Sequence, residues 1–176
     1  MTSRREPHGH AIRAMREADL DRLVEIDRAG TALLAEHGFP SLVDDLIDRA
    51  GMERLTGGRA VWVASDAADR ANGFAVAEDI GPCLYLHELS VDPAFGRRGL
   101  GTALLGAVVD HARWAFHTVV ALETFRTVPF NAPFYAKRGF MAVEPAQVPE
   151  PLREVVAAGR PSGIHPAART VMVRRL

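Results

Sequence analysis

The feature that most constrains this chain is a strand–loop–helix junction near its middle. A predicted strand ends at Val91-Asp92-Pro93, a loop rich in glycine and arginine follows at Gly96–Gly101, and a helical apolar stripe begins at Leu100. The first turn of a helix presents free backbone N–H groups, and the helix dipole adds partial positive charge there. Such a junction favours an anion, above all phosphate, and Arg97 and Arg98 in the loop strengthen that interpretation.

Glycine in this loop also has a purely structural interpretation, because a tight strand-to-helix turn needs its backbone freedom. Two nucleotide-binding motifs are excluded by the details. A Rossmann loop lies in the first βα turn and has a G-x-G-x-x-G pattern, whereas this loop lies in the middle of the chain. A P-loop needs Gly-Lys followed by Ser or Thr, which is absent here.

Hydrophobic periodicity divides the chain into strands and helices. In the strand Cys83–Val91, the run Leu84-Tyr85-Leu86 is apolar on both faces, which is typical of a central strand covered on two sides. The segment 66–73, which contains Asn72-Gly73, is predicted to be a hairpin loop, and Ser41 with Asp44 resembles a helix capping box. The predicted strands are residues 11–16, 60–64, 74–78, 83–91, 118–123, 140–143 and 170–174, and the predicted helical segments are residues 18–37, 41–55, 99–114, 131–138 and 152–158.

This element order predicts a mixed α/β fold in one domain. We expect a central, mostly antiparallel sheet of six to seven strands, flanked by about four helices, over residues 11–176. Residues 1–10 are polar and are expected to form a flexible tail. At 176 residues the chain is long enough to bury a real core.

Charge and composition restrict the function classes. The net charge of −1 argues against a protein that binds nucleic acid or a membrane surface, and no run approaches the length of a membrane span. The single cysteine, Cys83, excludes an intramolecular disulfide and suits the reducing cytoplasm. Two histidines near the N-terminus do not make a metal site, since zinc needs three or four converging ligands.

The segment from Leu86 to Gly139 resembles the GNAT N-acetyltransferase superfamily, and the similarity extends to the whole element order. The family motif Gln/Arg-x-x-Gly-x-Gly/Ala, preceded by Val-x-Pro, is matched by Val91-Asp92-Pro93 and Gly96–Gly101. The first motif position departs from the family, because Gly96 has no side chain. A second motif is matched by Asn131 and the segment from Phe134 to Phe140, in which Tyr135 follows Asn131 by four residues on one helix face.

The resemblance implies that acetyl-CoA binds in a wedge between the strands 83–91 and 118–123, with no metal. The backbone of Leu89 and Val91 would pair with the pantetheine arm, and the N–H groups of Arg97 through Thr102 would hold the pyrophosphate. Asn131 would contact the cofactor, and Tyr135 would approach its sulfur. The complete set of residues expected at the cofactor is Leu89, Ser90, Val91, Arg97, Arg98, Gly99, Leu100, Gly101, Thr102, Asn131 and Tyr135.

Transfer of an acetyl group to an amine requires a base, because an alkyl amine is mostly protonated at neutral pH. Glu88, on the predicted central strand, is the favoured base. Strand alternation places Glu88 on the face opposite His87 and Leu89 unless a bulge intervenes, so His87 stays a rival. Tyr135 is the expected acid for the leaving thiolate, since its ordinary pKa lies above that of a thiol. The Leu89 N–H is the expected donor to the acetyl oxygen.

The acceptor is less defined. Glu36, His37, His87 and Arg126 are candidate acceptor contacts, and Cys83 is interpreted as structural rather than as an acyl carrier. The favoured function is direct acetyl transfer to a small-molecule amine. A protein N-terminal or lysine acetyltransferase and a non-catalytic acyl-CoA-binding module stay open as alternatives, and the resemblance leaves room for a homodimer.

Overall fold

One mixed sheet organises the fold. The computed structural model describes residues 4–5, 9–148, 150–159, 161 and 163–176. Within them the strands are β1 Arg4–Arg5, β2 Ala11–Ala14, β3 Ala60–Ser65, β4 Ala71–Ile80, β5 Cys83–Val91, β6 Val119–Phe125, β7 Met141–Val143 and β8 Arg169–Arg175. The α-helices are α1 Leu20–Glu36, α2 Arg49–Thr56, α3 Leu100–Trp114, α4 Ala132–Ala136 and α5 Glu150–Ala158.

The strand order across the sheet is β1-β2-β3-β4-β5-β6-β8-β7. Only the pairing of β5 with β6 is parallel in the described sheet, because α3 connects these two strands and returns the chain to the same end. The mixed, mostly antiparallel sheet expected from the sequence is confirmed, with β1 as an additional two-residue edge strand, and α5 lies at the predicted helical segment 152–158. Residues 1–3 and 6–8 of the expected tail lie outside the described residues.

Helices cover both faces of the sheet. On one face α3 and α4 pack on a core that contains Leu86, Leu104 and Leu122. On the other face α1 and α2 pack around Phe74, and α5 packs around Tyr85. Burial of the first half of β5, residues 83–86, from both sides explains why this part of its sequence is apolar on both faces.

Two local predictions are wrong. The expected helix at residues 41–55 is a 3-10 turn at Pro40–Asp44 followed by the separate helix α2, because Asp48 caps α2 by accepting a hydrogen bond from Gly51 N at 2.7 Å. The hairpin loop predicted at residues 66–73 ends too late, because Asn72-Gly73 is part of β4. The turn lies at residues 66–70, where the Asp66 carboxylate accepts hydrogen bonds from two backbone N–H groups.

A bulge in β5 decides which residues reach the site. Val76 of β4 pairs with Glu88, whereas the next residue, Ala77, pairs with Leu86, so His87 is the extra residue. After this bulge Leu89 packs on the α3 face together with Leu86, and Glu88 points to the α1 face. The choice between Glu88 and His87 as base depended on whether β5 has a bulge. The structure contains this bulge.

Candidate active site

The splayed ends of β5 and β6 open onto a cavity of about 700 Å³. Pairing between the two strands ends at Leu86 and Leu122, so the rest of β5 continues without a β6 partner. The N-terminal ends of α3 and α4 and one side of α1 complete the walls. The cavity thus lies between the two strands that the sequence analysis named for the cofactor.

The loop before α3 forms one end of this cavity. Gly99 is the N-cap residue in a left-handed conformation with φ +84°, which favours glycine. The first hydrogen bond of the helix runs from Ala103 N to Gly99 O, so the N–H groups of Leu100, Gly101 and Thr102 have no acceptor within the helix. All four of these residues from Gly99 to Thr102 line the cavity. The local chain is therefore arranged to bind an anion at this end.

The two loop arginines lie in different places. Arg97 lines the cavity and has a positive φ of 62°. Arg98 is not among the lining residues, and its guanidinium lies 5.1 Å from the centre of the Phe95 ring. A Cβ atom at Gly96 would approach the Pro93 carbonyl oxygen to 3.1 Å, so the backbone disfavours a side chain at the position where the family has a long polar one.

Arg138 is a cavity residue that the sequence analysis did not single out. Its guanidinium donates hydrogen bonds to Thr102 Oγ1 through Nε (3.2 Å) and Nη2 (2.6 Å) and to Phe134 O through Nη1 (2.7 Å). It also lies 3.7 Å from the centre of the Phe134 ring. The C-terminal end of α4 therefore holds a cation against the first turn of α3. The signal in the sequence was the spacing of three residues from Tyr135, which places Arg138 near the same helix face.

Asn131 and Tyr135 also line the cavity. Asn131 is the N-cap residue of α4, and its backbone oxygen accepts hydrogen bonds from Phe134 N and Tyr135 N. Tyr135 is 7% exposed, and its hydroxyl has no hydrogen-bond partner among the described residues. Burial, together with the negative charge of Glu88, raises the pKa of Tyr135 well above its usual range. The phenol therefore stays protonated and can donate a proton into the cavity.

Glu88 faces the cavity in a fixed orientation. Its Oε1 atom accepts hydrogen bonds from Ser90 Oγ at 2.8 Å and from Leu89 N at 3.1 Å. Burial raises the pKa of this carboxyl group, while the hydrogen bonds oppose the rise. The Leu89 N–H, expected to donate to the acetyl oxygen, donates to Glu88 in this structure.

Asp27 of α1 is a second carboxylate at the cavity that the sequence analysis missed. Burial and the negative charge of Glu88 raise the pKa of Asp27 to about 7. A signal was present in the sequence, because Asp27 lies at helical spacing in the apolar stripe that contains Leu23, Val24 and Leu34. A charged residue in an apolar stripe is a candidate for function, since burial of an unpaired charge is costly.

Comparison with known proteins identifies the family. Residues 57–142 match the family model of the acetyltransferase (GNAT) domain. This chain carries a GNAT acetyltransferase domain. The mycothiol acetyltransferase of Propionibacterium freudenreichii is 33% identical to it over 118 residues, which cover 61% of this chain and 35% of the relative. The chain thus spans about a third of the length of that curated relative.

Solved structures show the same fold for the GNAT domain. The ribosomal-protein-S18-alanine N-acetyltransferase of Escherichia coli aligns with a TM-score of 0.69 at 16% identity, over 94% of this chain and 93% of that one. The PaiA N-acetyltransferase of Thermoplasma acidophilum, in complex with coenzyme A, aligns with a TM-score of 0.70 at 16% identity, over 95% and 99% of the two chains. Members of the family use acetyl-CoA as acyl donor.

The far end of the cavity in this GNAT domain has aromatic walls. Phe125 and Phe130 line it, and residues of the segment after α1 pack behind them. The ring of Phe39 lies 4.2 Å from that of Phe125, and the ring of His37 lies 5.1 Å from that of Phe130. The segment between α1 and α2 therefore closes over the end of β6.

Four sequence candidates for acceptor contacts have other positions or partners. His87 lines the cavity, but its Nε2 lies 2.7 Å from Glu78 Oε2, and burial lowers its pKa. His37 packs on Phe130 as described, while Glu36 is exposed and not among the lining residues. Arg126 is exposed and donates hydrogen bonds to the backbone oxygens of Ala167 and Arg169.

A buried ion pair forms part of the same wall. Arg169 of β8 donates a hydrogen bond through Nε to Glu123 Oε2 at 2.9 Å, and its guanidinium lies 4.7 Å from the centre of the Phe125 ring. The side chain of Glu123 is 3% exposed and that of Arg169 is 12% exposed. The charge of Arg169 is thus balanced within the protein.

Cys83 lies at the other end of β5, outside the cavity lining. Burial raises the pKa of its thiol to about 11, which disfavours the thiolate that an acyl-cysteine route would need. Among the described residues there is no group of three or more His, Cys, Asp or Glu side chains that could hold a metal ion. In that same part of the chain, every helix is too short or too polar to cross a membrane.

Proposed function

We propose that this GNAT domain is an acetyl-CoA-dependent N-acetyltransferase that transfers the acetyl group directly to the primary amine of a small molecule. The observation that carries the proposal is the single cavity that joins an anion-binding helix N-terminus to a protonated phenol and a carboxylate. These are the three groups that acetyl transfer from a phosphorylated thioester to an amine requires.

The cavity residues fit coenzyme A. The free N–H groups of Leu100, Gly101 and Thr102 suit the pyrophosphate, and the unpaired stretch of β5 after Leu86 offers backbone groups to the pantetheine amides. A Cβ atom at Gly101 would lie 3.4 Å from the Phe134 ring, so glycine leaves the space between the first turn of α3 and this ring open to the cofactor. When bound, coenzyme A supplies an acetyl group activated as a thioester.

Arg138 completes the proposed phosphate site. Three of the five N–H groups of its guanidinium point to Thr102 and Phe134, so two remain for an anion. Gly96 leaves the loop without the long polar side chain of the family motif, and Arg98 lies on Phe95. We therefore assign to Arg138, together with Arg97, the cationic contact with the cofactor phosphates.

Tyr135 and Glu88 divide the proton transfers. The Tyr135 hydroxyl, buried and protonated, is placed to give a proton to the departing sulfur. Glu88, held by Leu89 N and Ser90 Oγ, is placed to take a proton from the acceptor amine. No covalent acyl-enzyme is required, which agrees with the raised pKa of Cys83.

The closed aromatic end supports a small-molecule acceptor over a protein tail. The contacts of Phe39 with Phe125 and of His37 with Phe130 restrict an extended peptide at this end. A thiol-release screen with acetyl-CoA against small amines, N-terminal peptides and lysine peptides tests the proposal. Release with small amines alone would support it, and release with peptides alone would replace it with the protein acetyltransferase alternative.

A further inference from the structure

Helix α1 brings Asp27 to the same part of the cavity as Glu88. The helix packs closely on the splayed half of β5, since a Cβ atom at Gly30 would lie 3.5 Å from Ser90 Oγ. Asp27 precedes Gly30 by three residues and therefore lies on the same side of α1, one turn earlier. Both carboxylates line the cavity, and the negative charge of Glu88 opposes the ionisation of Asp27.

Asp27 differs from the other acidic residues at the start of α1. Asp19, Asp21 and Glu25 each form an ion pair, with Arg13, Arg49 and Arg22 respectively. Among the described residues Asp27 has no hydrogen bond and no ion pair. The fold has thus provided partners for the neighbouring carboxylates and left this one open to the cavity.

Among the described residues, the two arginines whose charge acts on these carboxylates, Arg28 on Asp27 and Arg169 on Glu88, both have other partners. Arg28 donates to Ile47 O, Arg169 is paired with Glu123, and His87 is bound to Glu78. Arg138, at the other end of α4, donates a hydrogen bond to Thr102. The hydroxyl of Tyr135 lines the same cavity, is on a side chain more than nine-tenths buried, and has no hydrogen-bond partner among the described residues. This hydroxyl independently indicates that a ligand binds beside the two carboxylates.

We propose that Asp27 joins Glu88 in binding the ammonium group of the acceptor and in taking the proton that it must lose. This inference rests on the proposed function. The ammonium N–H bond breaks and an O–H bond forms on the pair, which leaves a neutral amine. In the transfer the amine nitrogen forms a C–N bond to the acetyl carbon, and the thioester C–S bond breaks. The departing sulfur takes a proton from Tyr135. The nitrogen then loses a second proton, which restores the Tyr135 phenol. The pair then releases its proton, so one proton is produced in each turnover.

The pair also selects the class of acceptor. A primary amine that enters as a cation offsets one negative charge of Asp27 and Glu88, and an apolar or aromatic body fits the walls formed by Leu34, Phe125 and Phe130. An α-amino acid would place its own carboxylate against Asp27 and Glu88, and like charges in a partly buried site repel strongly. The acceptor class is therefore a primary alkyl or aralkyl amine without a carboxylate beside the nitrogen.

The first test needs no acceptor. Carboxyl ¹³C NMR follows the titration of Asp27 in the wild-type protein and in Glu88→Gln. We expect Asp27 to titrate near neutral pH in the wild type and at lower pH in the variant. Titration of Asp27 in its ordinary acidic range in both proteins would overturn the inference.

The second test compares acceptors and variants in a thiol-release assay. Phenethylamine and phenylalanine share one body and differ in the carboxylate, and benzylamine and hexylamine extend the series. We expect turnover with the simple amines and a fall of roughly 100-fold or more in kcat/KM in Asp27→Asn. Asp21→Asn, on the exposed side of the same helix, is the matched control and should retain wild-type kcat/KM. Equal effects of the two substitutions, preference for phenylalanine, or no turnover of any simple amine would each overturn the inference.

Calorimetric titration with acetyl-CoA separates this inference from the proposed function. Asp27→Asn should bind acetyl-CoA as tightly as the wild type, because Asp27 acts on the acceptor alone. Failure of the wild type to bind acetyl-CoA would refute the proposed function itself, whatever the NMR titration shows.

Discussion

Replacement of Arg138 by methionine tests how this domain compensates for Gly96. Methionine keeps an unbranched apolar side chain against Phe134 but removes the guanidinium that now contacts Thr102. The two N–H groups left free in the present structure are the ones assigned to cofactor phosphate. A hydrogen bond to a charged group contributes about 1.5–3 kcal/mol, so the loss predicts a Kd for coenzyme A that is roughly 10- to 150-fold higher.

The assay is isothermal titration with coenzyme A and with dephospho-coenzyme A, which lacks the 3′-phosphate. If Arg138 holds the pyrophosphate, Arg138→Met weakens both ligands by the same factor; if it holds the 3′-phosphate, only coenzyme A is affected. Lys137→Met is the matched control, because Lys137 is adjacent and exposed. A Kd for both ligands in Arg138→Met equal to that in Lys137→Met would refute the assignment.

Three further predictions concern the acid, the pH dependence and the sheet. Tyr135→Phe should lower kcat by roughly 100-fold or more while the Kd for acetyl-CoA stays unchanged; an unchanged kcat would remove Tyr135 as the acid. Because the pKa of Asp27 is raised to about 7, the folded state holds this proton more tightly than the unfolded state. The contribution of Asp27 to stability is therefore present below about pH 4 and is lost as the pH rises through about 7. Asp27→Asn should raise Tm at pH 8 and not at pH 4, as measured by calorimetry, and the same change at both values would contradict the sign. Gly73→Ala places a Cβ atom 3.0 Å from Ser90 O and 3.2 Å from Leu104 Cδ1, so urea denaturation should show a free energy of unfolding lower by about 1–3 kcal/mol. The control Gly106→Ala, whose Cβ atom meets nothing within 4 Å, should show no such loss.

The central strand and the helix that follows it could be predicted because several local signals agree there. The run Leu84-Tyr85-Leu86 is apolar on both faces, the Pro93 turn ends the strand, and the stripe from Leu100 defines α3. The bulge at His87 could be stated only as a condition, because pairing with β4 fixes it and the sequence of β5 alone does not.

The segment between α1 and α2 shows where local signals mislead. Ser41 and Asp44 resemble a capping box, yet α2 begins after Asp48, whose carboxylate is the actual cap. Asn72-Gly73 has the composition of a turn, but Asn72 is fully buried in β4. In both places tertiary packing selects between two competing caps or turns that the sequence offers.

The missed site residues, Asp27 and Arg138, depend on contacts between elements that are distant in sequence. Arg138 reaches Thr102 across 36 positions, and Asp27 meets Glu88 only because α1 packs on the splayed half of β5. Charged residues on helices are usually solvated, so neither residue stands out by type alone. For Asp27 the place in an apolar stripe was a usable signal.

The most direct test of the account is a calorimetric titration of the wild-type chain with acetyl-CoA. The cavity between β5 and β6, with the free N–H groups of α3 at one end and Tyr135 beside it, predicts saturable binding of one molecule per chain with a Kd well below about 1 mM. Absence of measurable binding at millimolar acetyl-CoA would contradict the assignment of the cavity and the acetyltransferase function proposed for it.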